Sequence, residues 1–143
     1  MRIGIFTESY EPIVNGVSVC VTTLRDELAR RGHEVVIFAP AFRGYDDGDN
    51  QVFRFPSAHT IIMRDYPFPV PFAPEIRRRF ASLKLDIVHT QTPFLLGVLG
   101  ARWARQHGIP LVSTNHTLYT EYAHYVPVRP RSLTKLFLVK LMK

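Results

Sequence analysis

The stretch "RIGIFTESYEPIVNGVSVCVTTLRDELARRGHEVVIFAP", residues 2–40, decides the fold. Its first five residues, "RIGIF", form an apolar run of strand length, and its last eight, "HEVVIFAP", form a second one closed by Pro40. Between the two runs, Val17, Val21, Leu24 and Leu28 recur at steps of three and four, the period of a helix with one apolar face. The spacing predicts a helix from the loop at Asn15 to about Arg31. Gly32 ends it, because a left-handed cap is cheapest for a residue without a Cβ. Strand, helix and strand on short links imply a parallel pair with a right-handed crossover.

The pattern then repeats. "AFRGYDDGDN" (41–50) is polar and glycine-containing, a loop. "QVFRFP" (51–56) alternates and reads as a third strand. "MRDYPFPVPFAP" (63–74) is too rich in proline for either regular element and is expected to be an exposed, stiff connection. Pro74 suits a first helical turn. Beyond it Ile76, Phe80 and Leu83 share a face, while Arg77, Arg78, Arg79 and Lys84 flank or oppose it. "DIVHTQ" (86–91) reads as strand four, "LLGVLGARWARQHG" (95–108) as a helix ended by Gly108, and "IPLVSTNH" (109–116) as strand five. The apolar runs "IGIF", "VVIF" and "PLVS" predict strands buried on both faces. The expected fold is therefore α/β, an open, doubly wound parallel sheet.

The 143 residues are 46% hydrophobic and 21% charged, enough apolar material for one real core. Cys20 is the only cysteine, which excludes an internal disulfide and fits a reducing compartment. Among its valine neighbours it reads as a small apolar residue. The net charge of +6 and pI near 9.8 suggest an anionic partner: nucleic acid, a nucleotide or acidic lipid. A nucleic-acid role is disfavoured, because the basic residues do not interleave with aromatics and no recognition helix is evident. "MRIGIFTESY" is too short an apolar run for a signal peptide, and no stretch approaches the roughly 18 apolar residues of a membrane span. The expectation is a cytoplasmic protein, with peripheral membrane association left open. No spacing among the histidines resembles a zinc site.

Ligands of open α/β sheets bind beyond the carboxyl ends of the strands. That rule gathers "TESYEPIVNG", "HTQTP" and "NHTLYTEY", so that Glu8, Asn15, Gly16, His89, Thr90, His116 and Thr117 share one rim. A helix beginning at Gly16 presents unpaired N–H groups and about half a positive charge, and glycine lets a phosphate come close. Neither G-x-G-x-x-G nor a P-loop is present, which disfavours a dinucleotide dehydrogenase and a P-loop phosphotransferase.

Here a resemblance adds what spacing does not. "FTESYEPIVNGVSVCVTTLRDELARRGHEVVIFAP" (6–40) and "DIVHTQTPFLLGVLGARWARQHGIPLVSTNHTLYTEYAHYVP" (86–127) resemble the N-terminal, Rossmann-like domain of a family 4 glycosyltransferase of GT-B architecture. "NGV" (15–17), "HTQTP" (89–93) and "HTLYTEY" (116–122) resemble the lipid-directed members that glycosylate diacylglycerol. The resemblance implies a retaining hexosyl transfer from a nucleotide-sugar such as UDP-glucose to a lipid acceptor, with no cofactor and no required metal. It also implies that residues 1–130 are the acceptor-side domain. A C-terminal donor-binding domain would lie outside this chain, which alone would be inactive. Carried over by position, Gly16, with Asn15, meets the donor diphosphate, and His116 approaches the transferred sugar as the catalytic residue.

Other assignments stay open between two readings. Glu8 either touches an acceptor hydroxyl or is a loop carboxylate that accepts backbone N–H bonds. The His89 side chain faces either the core or the cleft. Tyr119, Tyr122 and Tyr125, with Thr117 beside them, line an acceptor groove or pack. Arg77, Arg78, Arg79 and Lys84 meet an anionic membrane or form an ordinary solvated face. Residues 131–143, with Leu133, Phe137 and Leu141 in register, read as a terminal helix of a chain that continues. The rival class for the whole is a non-enzymatic α/β ligand-binding or regulatory module.

Overall fold

A computed structural model of the protein describes residues 1–58 and 67–116. The apolar runs become strands β1 (Arg2–Phe6) and β2 (Glu34–Pro40), parallel and in register with Ile3 opposite Val35 and Ile5 opposite Ile37. Helix α1 (Gly16–Arg30) connects them. Strand β3 (Val52–Phe55) lies outside β2, while β6 (Ile87–Thr90) and then β7 (Leu111–Ser113) lie on the other side of β1. The result is a five-stranded parallel sheet in the order β3-β2-β1-β6-β7. Helices α2 (Pro74–Ser82) and α3 (Leu95–His107) complete the layers.

Side-chain alternation in the strands explains the two cores. Ile3, Ile5, Val35 and Ile37 point to one face and bury Val21 of α1, with Val17, Leu24 and Leu28 packed partly against them. Phe6, Val36, Phe38 and Val88 point to the other face, toward Phe80 of α2 and Leu96, Trp103 and Ala104 of α3. There the Phe6 and Phe38 rings stack at 4.3 Å, and Trp103 meets Phe6 edge-on at 6.0 Å. Both faces carry helices, so the sheet is open and doubly wound, a Rossmann-like arrangement. Gly32 and Gly108 take positive φ, 82° and 66°. At the end of α1 the Gly32 and His33 N–H groups turn back to the Ala29 and Leu28 carbonyls, the double bond of a Schellman cap.

Three expectations need correction. "PLVS" is not buried on both faces: Leu111 and Val112 are 42% and 44% exposed, because β7 is an edge strand with only β6 beside it among the described residues. The proline-rich connection is not free of regular structure. Phe68–Pro69 forms β5, antiparallel to β4 (Ser57–Ala58), with Pro67 and Pro69 buried and Phe68, Val70 and Phe72 exposed. A two-residue ribbon has edges enough to accept a proline, which lacks only the donor. Cys20 is exposed rather than packed, since one residue before Val21 it is turned about 100° off the apolar stripe.

The contact of α3 with β1 is tight at one point. A Cβ added at Gly100 would lie 2.6 Å from Cγ of Phe6, a ring already pinned between Phe38 and Trp103. Gly100→Ala would gain about 1 kcal/mol of helix propensity but lose roughly 1–3 kcal/mol to overpacking. A lowered urea midpoint is expected; an unchanged or raised midpoint would mean that the aromatic stack gives way.

Candidate functional site

Strand order runs from β1 outward to β2 and β3 in one direction, and to β6 and β7 in the other. Helices α1 and α3 therefore leave neighbouring strands for opposite faces, which opens a crevice at the carboxyl ends of β1 and β6. Phe6 pairs with Thr90 and Thr90 with Ser113, so the loops after β1, β6 and β7 emerge from one edge. Glu8, Asn15, Gly16, Gln91 and His116 all belong to these loops or to the first turn that follows them.

The loop after β1 is held from within. The Ser9 N–H donates to Thr7 Oγ1 at 3.1 Å, and Thr7 Oγ1 donates to the Ser9 carbonyl at 2.9 Å. Asn15 caps α1: its Oδ1 accepts from the Ser18 N–H at 2.9 Å, and its own N–H donates to Ser18 Oγ at 2.9 Å. Its Nδ2 donates to Ser9 Oγ at 2.8 Å. The Asn15 side chain thus belongs to the cap, and what a ligand meets beyond it is the backbone. Of the first-turn N–H groups, Ser18 and Val19 are used by Asn15, while Gly16 and Val17 have no partner within the helix. Gly16 is exposed, with open space where a Cβ would stand.

The back of the loop is tied down by Arg54, whose guanidinium reaches the Glu11 carbonyl at 2.6 Å, the Pro40 carbonyl at 2.8 Å and both oxygens of Asp47. The Tyr10 ring lies beneath it, buried, with Arg25 donating to the phenol oxygen.

Glu8 crosses the crevice. Its Oε1 accepts from the Leu96 N–H at 2.6 Å and, more weakly, from Gly97 at 3.4 Å, at the start of α3. Its Oε2 is buried without a hydrogen-bond partner among the described residues. Burial pushes its pKa up from 4.5 to about 7, and the backbone N–H groups offset only part of that. Of the two readings for Glu8, the observed contacts are those of a carboxylate accepting backbone N–H bonds.

On the other side of the crevice, His116 Nε2 lies 2.7 Å from Oε1 of Gln91, which is 1% exposed. His89 is half-buried with its Nε2 2.7 Å from Thr114 Oγ1, and burial, then His116, lowers its pKa. Thr90 Oγ1 donates to Ser113 Oγ at 3.0 Å across the strand ends. Thr117, Tyr119, Tyr122, Tyr125 and residues 131–143 lie outside the described residues. Among the described residues, no three His, Cys, Asp or Glu side chains gather as metal ligands would, and no helix is long and apolar enough to cross a membrane.

The basic residues in and after α2 sit in different surroundings. Arg77 and Arg78 line a groove of about 480 Å³ with Phe72, Arg102 and Trp103, whereas Arg79 lies over the Phe53 ring and Lys84 follows the helix end. Sequence reasoning passed over Arg102, Arg54, Ser9 and Gln91. For Gln91 a signal existed: it is the polar residue directly beyond β6, next to the strand-end residues His89 and Thr90.

The glycosyltransferase family 4 model matches residues 14–142, and the chain belongs to that family. It is 41% identical over 129 residues to an alpha-monoglucosyldiacylglycerol synthase of Streptococcus pneumoniae, covering 88% of this chain and 29% of that protein. It is 38% identical over 129 residues to the alpha-monoglucosyldiacylglycerol synthase of Acholeplasma laidlawii, covering 88% and 32%. A GDP-mannose-dependent alpha-mannosyltransferase of Mycolicibacterium smegmatis is 37% identical over 123 residues, covering 82% and 32%. The chain thus spans about a third of the length of the curated relatives it matches. Members of family 4 are GT-B enzymes, and the Rossmann-like sheet agrees with that architecture.

The stability that Glu8 contributes depends on pH. Its folded pKa lies above the unfolded one, so its contribution is full below pH 4.5 and is lost as pH rises through 7. The loss amounts to about 3 kcal/mol. Glu8→Gln, measured by urea unfolding between pH 4.5 and 8, should gain stability relative to wild type as pH rises. Parallel curves would show that Glu8 does not titrate with folding.

Proposed function

We propose that the protein carrying this chain is a retaining hexosyltransferase. It would move a sugar, with glucose from UDP-glucose the favoured case, from a nucleotide-sugar to a membrane lipid such as diacylglycerol. Residues 1–130 are the acceptor-side domain, a second domain holds most of the donor, and this chain alone is inactive. The observation that carries the reading is the open, glycine-started N-terminus of α1 on the sheet edge that also bears His116. Family membership supports the reaction class. The chain's similarity to the two alpha-monoglucosyldiacylglycerol synthases supports glucose and diacylglycerol over other pairs.

The chemistry follows from charge. As the bond between the sugar and the diphosphate breaks, negative charge grows on the leaving phosphate. The Gly16 and Val17 N–H groups, with the dipole behind them, stabilise it there. His116 hydrogen-bonds the sugar and orients it. The acceptor oxygen attacks on the face the phosphate leaves, and its proton passes to the departing phosphate oxygen. No protein nucleophile is needed.

The acceptor's setting suggests a cytoplasmic enzyme bound peripherally to the inner face of the cell membrane. Arg77, Arg78 and Arg102 around the groove, with Phe72 78% exposed beside them, offer cations and an apolar wedge to an anionic surface. Lys84 and Arg79 add charge, each basic group near the surface contributing about 1 kcal/mol.

Two measurements test these points. In the complete enzyme, Gly16→Ala should fold normally, since its Cβ meets nothing, yet raise the KM for the nucleotide-sugar. His116→Ala should retain the fold and cut turnover by about 100-fold. Wild-type kinetics in both variants would remove this edge from the reaction. Sedimentation with phosphatidylglycerol vesicles should exceed that with phosphatidylcholine vesicles, fall with salt, and weaken in an Arg77→Ala, Arg78→Ala double variant. Equal, salt-insensitive binding to both vesicles would exclude the electrostatic contact.

A further inference from the structure

Gln91 is a buried polar residue at the crevice to which the proposed reaction gives no role. It follows β6 directly, and its N–H donates to the Phe6 carbonyl of β1 at 2.9 Å, which fixes its backbone to the centre of the sheet. Its side chain is buried, with Oε1 2.7 Å from His116 Nε2. The other end of the amide, Nε2, is buried without a partner among the described residues. Burying an amide is costly unless it is hydrogen-bonded, so its contact with the imidazole is what, among the described residues, accounts for an amide here.

That contact has a definite chemical consequence. A carboxamide oxygen only accepts hydrogen bonds, so His116 Nε2 must carry the hydrogen. In the neutral ring the remaining nitrogen, Nδ1, then holds a lone pair. A lone pair accepts from a hydroxyl and repels a phosphate oxygen.

We propose that Gln91 is a positioning residue that holds His116 as the Nε2–H tautomer, leaving Nδ1 to accept a hydrogen bond from a substrate hydroxyl. The ligand half of this assignment rests on the transferase reading; the tautomer half does not. The hydroxyl belongs to the transferred sugar or to the acceptor, and separate affinities tell the two apart. An effect on UDP-glucose binding without acceptor assigns the sugar, and an effect confined to the diacylglycerol KM assigns the acceptor.

The test is long-range 1H–15N spectroscopy of the 15N-histidine-labelled protein that carries this chain. Spectra are recorded at about pH 8, above the ordinary histidine range, and His116 is assigned by the signals lost in His116→Ala. Wild type should give the Nε2–H pattern. Gln91→Met, similar in volume but without the amide oxygen, should give a mixture of tautomers, and Gln91→Glu should keep the Nε2–H pattern. With UDP-glucose and diacylglycerol, Gln91→Met should lose roughly tenfold or more in kcat/KM while Gln91→Glu retains most of it.

An Nδ1–H pattern in wild type, as an amide turned the other way would produce, overturns the proposal. An unchanged pattern in Gln91→Met does so as well. If Gln91→Met does not fold, the wild-type and Gln91→Glu spectra decide. The expected tautomer together with turnover indifferent to His116→Ala overturns the hydroxyl contact and the transferase role of His116, and leaves the tautomer assignment standing.

Discussion

Two helices that leave adjacent parallel strands for opposite faces of a sheet leave the edge between those strands uncovered. In this protein the strands are β1 and β6, and the constraint comes from chain order: β2 and β3 were added on one side of β1, β6 and β7 on the other. Every polar feature of the candidate site answers to that opening. Had β6 been added beyond β3, α1 and α3 would run over continuous sheet, and the loops after β1 and β6 would not meet.

The opening has to be held in shape by groups that are costly to bury. Glu8 spans it, spending one carboxylate oxygen on the first turn of α3 and leaving the other without a partner among the described residues. Desolvation outweighs the backbone hydrogen bonds in setting its pKa near 7, so the carboxyl resists ionisation at the place where a helix end favours a negative charge. Gln91, directly after β6, is satisfied at one end of its amide and, among the described residues, not at the other. The hydrophobic layers on either face, with Phe6 and Phe38 in one and Ile5 and Ile37 in the other, make this tolerable, because they hold both strands rigidly beneath the crevice.

Much of this architecture can be read from the chain and some of it cannot, for physical reasons. The 3.6-residue stripe of α1 and the glycines after α1 and α3 are local signals, and local signals survive folding. Whether a strand is central or at the edge is not local. "PLVS" has the composition of a buried strand, yet β7 is an edge. Proline content suggested a connection without regular structure, but two residues of it pair because their partner strand lies nearby in space. The site divides along the same line. Gly16 is visible as a helix start, whereas the bond from Glu8 to Leu96 joins positions 88 apart, and Gln91 meets His116 across 25. No pattern within a window of residues carries such pairings.

The helix ends show why one of them is suited to an external anion. Helix α2 has Glu75 in its first turn, and α3 has Glu8 against its first N–H groups. Each positive end thus already faces a carboxyl group of the protein. Helix α1 has no acidic residue in its first turn, and its cap is the neutral amide of Asn15, which takes the Ser18 N–H. Its positive potential is therefore not cancelled by a carboxylate in its own first turn, and among the described residues a Cβ at Gly16 would meet nothing within 4 Å. The same loop is braced by Arg54 through the Glu11 carbonyl, so the N–H groups of α1 need little reorganisation when negative charge appears before them. A site that stabilises a leaving phosphate needs this combination: a dipole left unpaired by the protein's own charges and a backbone that does not have to move to use it.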